Sequence, residues 1–245
     1  MNSQRPLQVN NPRFFRKSRY GRDKFVLIRR DRIHYVDAGQ GEPVIWIPGS
    51  RSSFRIWNRL FPALEKNYHL MALDALDLKD LNHAGKVEES IRRQADLIAA
   101  LIDQLKLGKV NLISGHTGSA VAFNLAARYA NLVERLVSLA GYIGIGPAPP
   151  DHDSNSQTKQ DVVKNLNLEE EAKAVKCPIL YLYGSKTNLR EVPLKHNLAY
   201  LQKNHPQAWI VSLEGGIFET AVANPREITA LLADFFKYKP GIRIG

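Results

Sequence analysis

Apolar and polar residues follow one another along the first third of the chain in patterns typical of strands and helices taken in turn. Residues 25–28 and 32–36 read as the two strands of a hairpin. The continuous apolar run Val44–Ile47 between two prolines predicts a strand buried on both faces. An apolar stripe at helical spacing over 53–66 predicts a helix, and a further strand is expected over 70–73.

The rest of the chain repeats this alternation. Residues 87–107 form a long amphipathic pattern that predicts a helix ending at Gly108. Further strands are predicted over 110–114, 135–140, 179–183 and 209–213, and further helices through 169–174, over 191–203 and over 226–237. This rhythm predicts an α/β protein with a mostly parallel central sheet and helices on both faces.

One segment, Val110–Ala130, combines a strand, a sharp turn and a helix. The apolar run VNLIS leads into Gly115-His116-Thr117-Gly118-Ser119, and an apolar helical pattern follows. Strand, tight turn and helix are the context of a nucleophile elbow, whose pattern is G-x-S-x-G. In this interpretation Thr117 takes the central position, which the elbow holds in a strained conformation.

Composition limits the class of protein. A chain of 245 residues with 44% apolar and 24% charged residues is typical of one globular α/β domain. The one cysteine, Cys177, excludes an internal disulfide framework and favours a reducing compartment. No apolar run is long enough to cross a bilayer, and the first residues lack the apolar stretch of a signal peptide. We therefore expect a cytoplasmic protein, with peripheral association with a membrane left open.

The net charge of +10 is concentrated at the amino-terminal end. Residues 1–24, the basic arm, hold seven bases and one acid, interleaved with aromatic residues. One reading is a solvated tail. The other is a binding arm that docks on an acidic protein or an anionic membrane surface, with nucleic acid ranked lower because no binding motif is present. Its candidate contact residues are Arg13, Arg16, Lys17, Arg19 and Arg22.

Three stretches outside the elbow resemble segments of one protein family. The second and third strands of α/β-hydrolases resemble the stretch HYVDAGQGEPVIWIPG. The family's strand and turn with the catalytic acid resemble AVKCPILYLYGSKTN, and its loop with the catalytic histidine resembles LEGGIFETAVANP. The resemblance covers roughly residues 25–238. It implies an α/β-hydrolase fold in a domain over 25–240, with residues 142–176 as a short, reduced cap insertion.

The same resemblance implies a degenerate catalytic triad. It assigns Thr117 to the nucleophile, Thr187 to the acid and Ile217 to the base, and Ile217 can neither accept nor donate a proton. It leaves Ser50 and Gly118 as backbone donors of a site resembling an oxyanion hole. The implied pocket residues are His116, Pro48, His83 and Phe218.

Three functions follow as hypotheses. The first is a binding or structural module of hydrolase fold without hydrolase activity, with the basic arm as its contact element. The second is an enzyme of other chemistry, a lyase, cyclase or isomerase, with a titratable residue such as Asp77, His83 or His152 facing Thr117. The third is a receptor with an apolar cavity for a small-molecule ligand above Thr117. We expect no cofactor and no metal, since the sequence contains neither a phosphate-binding loop nor clustered His and Cys ligands.

Overall fold

The central strands consist of residues that are buried on both faces of a sheet. In the computed structural model, which describes residues 21–49, 53–74, 87–145, 168–186, 194–216 and 225–238, the whole of the strand from Val110 to Gly115 is buried. The sheet has eight strands: β1 (Arg22–Ile28), β2 (Asp31–Ala38), β3 (Glu42–Ile47), β4 (Tyr68–Leu73), β5 (Val110–Gly115), β6 (Val133–Leu139), β7 (Ile179–Gly184) and β8 (Trp209–Leu213).

Six helices occur in the described parts of the chain. They are α1 (Ser53–Leu64), α2 (Val87–Gln104), α3 (Gly118–Arg128), α4 (Glu169–Lys173), α5 (Leu194–Asn204) and α6 (Pro225–Lys237). Most of them follow a strand in sequence and return the chain to the start of the next one. This crossover is what makes neighbouring strands parallel.

The strand order is β1-β2-β4-β3-β5-β6-β7-β8. β1 and β2 form an antiparallel hairpin, and β2 also pairs antiparallel with β4, through Tyr35 opposite Leu73. All pairs from β4 through β8 are parallel. The carboxyl ends of β3 to β8 therefore meet at one edge of the sheet, where α/β proteins place their sites.

Two apolar cores lie on the two faces of the sheet. One contains α2 and α3 and includes Ile98, Leu112 and Phe123. The other lies where α1 packs against α6 and includes Phe61 and Phe235. All five of these side chains are at most 1% exposed. Burial of such side chains contributes roughly 1.5–3 kcal/mol each to folding.

The α/β class, the hairpin and the mostly parallel sheet that the sequence predicts are confirmed. β1 begins at Arg22, so the strand includes the last three residues of the predicted basic arm. Of the predicted cap over 142–176, the structure describes residues 142–145 and the segment from Leu168, which contains α4. Residues 146–167 lie outside the described residues, and the domain boundaries stay predictions.

Candidate functional site

The turn between β5 and α3 contains two residues, His116 and Thr117, both partly exposed. His116 has a left-handed backbone conformation with φ of 50°. Thr117 has φ of −66° and ψ of −21°, which is ordinary helical geometry for the residue that begins α3. The expectation that Thr117 adopts the strained conformation is therefore wrong, because the strain lies one residue earlier. For a side chain with a Cβ this conformation costs roughly 1–3 kcal/mol, and such residues cluster at functional sites.

Backbone contacts on both sides hold the strained turn in place. The carbonyl oxygen of His116 accepts hydrogen bonds from the N–H of Ser119, at 3.2 Å, and from the N–H of Tyr142, at 2.9 Å. The second bond joins the elbow to the segment after β6. Tyr142 is 1% exposed, and burial raises the pKa of its hydroxyl strongly.

Two glycines allow the end of β3 to approach the elbow. A Cβ on Gly118 would lie 2.5 Å from the carbonyl oxygen of Pro48 and 2.6 Å from that of Ile47. A Cβ on Gly49 would overlap the Cβ of His116. The structure thus brings together Pro48, His116 and Gly118, three of the residues that the sequence assigned to one site.

A group of buried hydroxyls lies beneath the turn, and sequence reasoning missed it. The Ser119 Oγ lies 3.0 Å from the Oγ of Ser114 and 3.0 Å from the Oγ of Ser138. The Ser114 hydroxyl also donates to the carbonyl oxygen of Val137, at 3.0 Å. All three serines are 0% exposed, so these hydroxyls stabilise the junction of β5, β6 and α3 and are not available to a ligand. Ser114 and Ser138, which are polar residues at interior positions of apolar strands, are a sequence signal for such a group.

The segment after β6 is also held from the side of β7. The carbonyl oxygen of Gly141 accepts hydrogen bonds from the Tyr181 hydroxyl, at 3.0 Å, and from the Asn197 side-chain amide, at 2.8 Å. The same amide also donates to the Tyr181 oxygen, at 2.9 Å. Asn197 is 0% exposed on α5, and a polar residue on the buried face of an amphipathic helix is the signal that identifies such an anchor.

The loops that lead to the predicted acid and base lie side by side. After β7, the N–H of Lys186 donates to the carbonyl oxygen of Gly215, at 2.9 Å. The N–H of Gly215 donates to the hydroxyl of Ser185, at 3.1 Å. Both segments are at the carboxyl ends of their strands, at the edge of the sheet that also holds the elbow.

Several residues assigned from the sequence lie outside the described residues. Among the site residues these are Ser50, His83, Thr187, Ile217 and Phe218. The same holds for Arg13, Arg16, Lys17 and Arg19 of the basic arm, and for Asp77 and His152 of the enzyme hypothesis. Their assignments stay predictions. Of the five arm residues, Arg22 is described, and it is exposed in β1.

His34 lies between two carboxylates, a geometry that the sequence did not reveal. Its Nδ1 is 2.7 Å from Asp74, which follows β4, and its Nε2 is 3.1 Å from Asp23 in β1. Burial lowers the pKa of His34, but the hydrogen bonds and charges of the two carboxylates outweigh it and raise the pKa overall. With an acceptor at each ring nitrogen, the imidazolium form of His34 can donate a hydrogen bond to both carboxylates. This bridge ties β1 and β2 to the end of β4.

A cavity of about 240 Å³ lies at the other edge of the sheet, beside the amino ends of β7 and β8. Cys177, His205 and Tyr238 are among its lining residues. Burial raises the pKa of the Cys177 thiol to about 12, so the thiol is protonated and weakly nucleophilic near neutral pH. This cavity is separate from the elbow.

The described residues offer neither a metal site nor a membrane-spanning helix. No group of three or more His, Cys, Asp and Glu side chains within these ranges is arranged to hold a metal ion. None of the helices described in the structure is both long and apolar enough to cross a membrane.

Comparison with known proteins places this site in a family. The sequence model of the alpha/beta hydrolase fold matches residues 42–169, more than half of the chain, and the chain belongs to this family. It is 29% identical over 119 residues to a haloalkane dehalogenase of Sphingobium indicum, covering 47% of this chain and 40% of the dehalogenase. It is 28% identical over 118 residues to a cis-3-alkyl-4-alkyloxetan-2-one decarboxylase of Shewanella oneidensis, covering 47% of this chain and 37% of the decarboxylase. These matches span less than half the length of either relative.

A solved structure supports the same fold over a larger part of the chain. The enol-lactonase of Burkholderia xenovorans superposes with a TM-score of 0.68 and 15% identity, covering 88% of this chain and 100% of the lactonase. At that identity the likeness concerns the fold alone. It agrees with the eight-stranded sheet and its covering helices.

Proposed function

We propose that this chain retains the α/β-hydrolase fold without the serine-hydrolase reaction and acts as a binding module. One observation carries the proposal: the left-handed residue at the apex of the elbow is His116. In a serine hydrolase this apex presents the nucleophilic hydroxyl. An imidazole cannot form the ester intermediate of that reaction.

The same geometry supports one of two possible registers of the elbow, that is, one choice of the residue at the centre of the G-x-S-x-G pattern. With His116 at the centre, the flanking small residues of the pattern are Ser114 and Gly118, and Gly118 is the position where a Cβ would meet the carbonyl oxygens after β3. With Thr117 at the centre they would be Gly115 and Ser119, and a Cβ on Gly115 has its nearest recorded neighbour at 3.7 Å. We infer that His116 replaces the nucleophile, and that Thr117 is the residue after it.

In this proposal the acid and the base of the triad are missing as well as the nucleophile. The family resemblance assigns Thr187 to the acid and Ile217 to the base, and neither side chain can orient or accept a proton as the triad requires. As its contact element we propose the basic arm, docking on an acidic protein or an anionic membrane surface.

The experiment restores the triad in both registers. One variant carries His116→Ser, Thr187→Asp and Ile217→His, and its matched control carries Thr117→Ser with the same two changes. We expect saturable cleavage of p-nitrophenyl butyrate by the first variant, and none by the control or the unaltered protein. Saturable cleavage by the unaltered protein that disappears in His116→Ala would overturn the proposal.

A second candidate is an enzyme of other chemistry, and the comparisons favour it specifically. The relatives are named as enzymes, one of them a decarboxylase, so the family includes a member named for a reaction other than ester cleavage. An imidazole at the strained apex can act as a base or a nucleophile. Substrate turnover that is lost in both His116→Gln and His116→Ala would support this candidate. A receptor for a small-molecule ligand is a third candidate, and saturable stabilisation against heat upon ligand addition would support it.

A further inference from the structure

The outer face of the β1–β2 hairpin exposes two large apolar side chains. Along β1, Val26 packs toward the core beside α2 and Ile28 is 1% exposed. The alternate residues, Phe25 and Leu27, point to the other face, where they are 48% and 62% exposed. Among the described residues, these two are the large hydrophobic side chains that are exposed to solvent.

One cation lies directly against this apolar pair, and others lie elsewhere on the hairpin. The guanidinium of Arg32 lies over the ring of Phe25, 4.1 Å from its centroid. The hairpin also exposes the side chains of Arg22, Arg29 and Arg30 to solvent. An anionic partner can therefore reach their guanidinium groups.

The acidic side chains of the hairpin are matched within the molecule. Asp23 contacts His34 at 3.1 Å, and Asp31 forms an ion pair with Arg93 at 2.8 Å. Asp37 is shared by Lys24, at 2.6 Å, and His69, at 2.7 Å. The uncompensated charge on this face is therefore positive.

The chain that leads into β1 has the same character. Residues 1–32 hold ten of the 34 Lys and Arg residues but two of the 24 Asp and Glu residues. Phe14, Phe15 and Tyr20 lie among these bases. A cluster of cations beside exposed aromatic and aliphatic side chains is the composition of a segment that docks at the boundary of anionic headgroups and acyl chains.

We propose that the exposed surface of the β1–β2 hairpin, with Phe25, Leu27 and Arg32 on the strands and Arg29 and Arg30 at the turn, docks on an anionic lipid surface. The inference rests on the proposed binding function. Two apolar side chains are a small anchor for a specific protein interface, which buries about 800 Å² on each partner. They suffice as an insertion point beside a polybasic segment, because membrane docking combines two weak contributions.

The test is sedimentation of the full chain with vesicles at about 0.15 M salt. One set contains phosphatidylcholine with about 30 mol % phosphatidylserine, and the other phosphatidylcholine alone. We expect binding to the anionic vesicles only, weakened at least about fivefold by Leu27→Ser and by the pair Arg29→Glu and Arg30→Glu. The control pair Lys195→Glu and Lys203→Glu, two exposed positions on α5, makes the same change in net charge and is expected to bind like the unaltered protein.

Each of three vesicle results overturns the inference: no binding to anionic vesicles, equal binding by the hairpin variants and the unaltered protein, or equal weakening by the α5 control pair. Binding of poly-glutamate instead of vesicles would assign the face to an acidic protein and also overturn it. Failure of the proposed function is distinguishable, since saturable cleavage of p-nitrophenyl butyrate that disappears in His116→Ala would overturn that function and leave the vesicle result intact.

Discussion

At the scale of single residues, the contact between the elbow and the end of β3 depends on a missing side chain. A Cβ on Gly118 would lie 2.5 Å from the carbonyl oxygen of Pro48, a backbone group that cannot rotate away. We expect Gly118→Ala to destabilise the protein by about 2–4 kcal/mol through overpacking. Gly115→Ala is the matched control, because its Cβ would have 3.7 Å of space and it is expected to cost less than about 1 kcal/mol. Urea unfolding of the two variants measures the difference, and equal costs would contradict the close approach.

The second residue-scale prediction concerns His34. Its folded-state pKa is raised above the ordinary value of 6.5, so its bond to Asp74 and Asp23 stabilises the fold fully at pH below that value. This stability is lost as the pH rises through the folded-state pKa. We therefore expect His34→Gln to cost more free energy of unfolding at pH 5.5 than at pH 8.5. The exposed His196→Gln on α5 is the control, and an equal cost at both pH values would show that the carboxylates do not hold a charged imidazole.

Sequence reasoning located the elbow but placed its strain one residue too late. Glycines at 115 and 118 are three residues apart, whereas the pattern requires a spacing of four, so two registers fit the same letters. The turn at His116 lies against Gly49 and accepts a hydrogen bond from Tyr142, and both residues are distant in sequence. No local pattern contains that information.

At the scale of elements, hydrophobic periodicity is sufficient to predict the strands and their order of appearance. Continuous apolar runs became the buried strands β3, β5 and β7, because a strand covered on both faces has no polar side. The polar groups that lock these elements together could not be predicted. Asn197 reads as an ordinary polar residue of a helix, and its role depends on Gly141 and Tyr181 lying beside it.

A prediction at this scale tests that anchor. Asn197→Ala removes an amide that donates to Gly141 and to Tyr181 from the buried face of α5. We expect a loss of about 2–3 kcal/mol, from a lost buried hydrogen bond and a small cavity. His196→Ala changes the adjacent, exposed residue of α5 and is expected to cost less than about 0.5 kcal/mol. Thermal and urea unfolding compare the two, and an unchanged stability in Asn197→Ala would mean that α5 does not hold the segment after β6.

At the scale of the whole molecule, β1 begins inside the segment that composition marks as basic. Composition changes near residue 24, whereas β1 begins at Arg22. Asp23 and Lys24 belong to the folded unit, because they contact His34 and Asp37 across the hairpin. Charge is a property of composition, while these contacts require the antiparallel register of β1 with β2.

Two truncations separate the arm from the strand. Removal of residues 1–20 leaves every described contact of β1, so we expect an unchanged melting temperature and, under the proposed function, a loss of large assemblies or membrane association in the native cell extract. Removal of residues 1–24 also deletes three residues of β1, together with the Asp23–His34 and Lys24–Asp37 contacts. We expect this longer truncation to lower the free energy of unfolding by roughly 1–3 kcal/mol more. Size-exclusion chromatography of the extract and unfolding of the pure proteins measure the two effects separately. If the shorter truncation lowers the stability as much as the longer one, the arm is part of the fold, and its cations are not free to serve as a separate contact element.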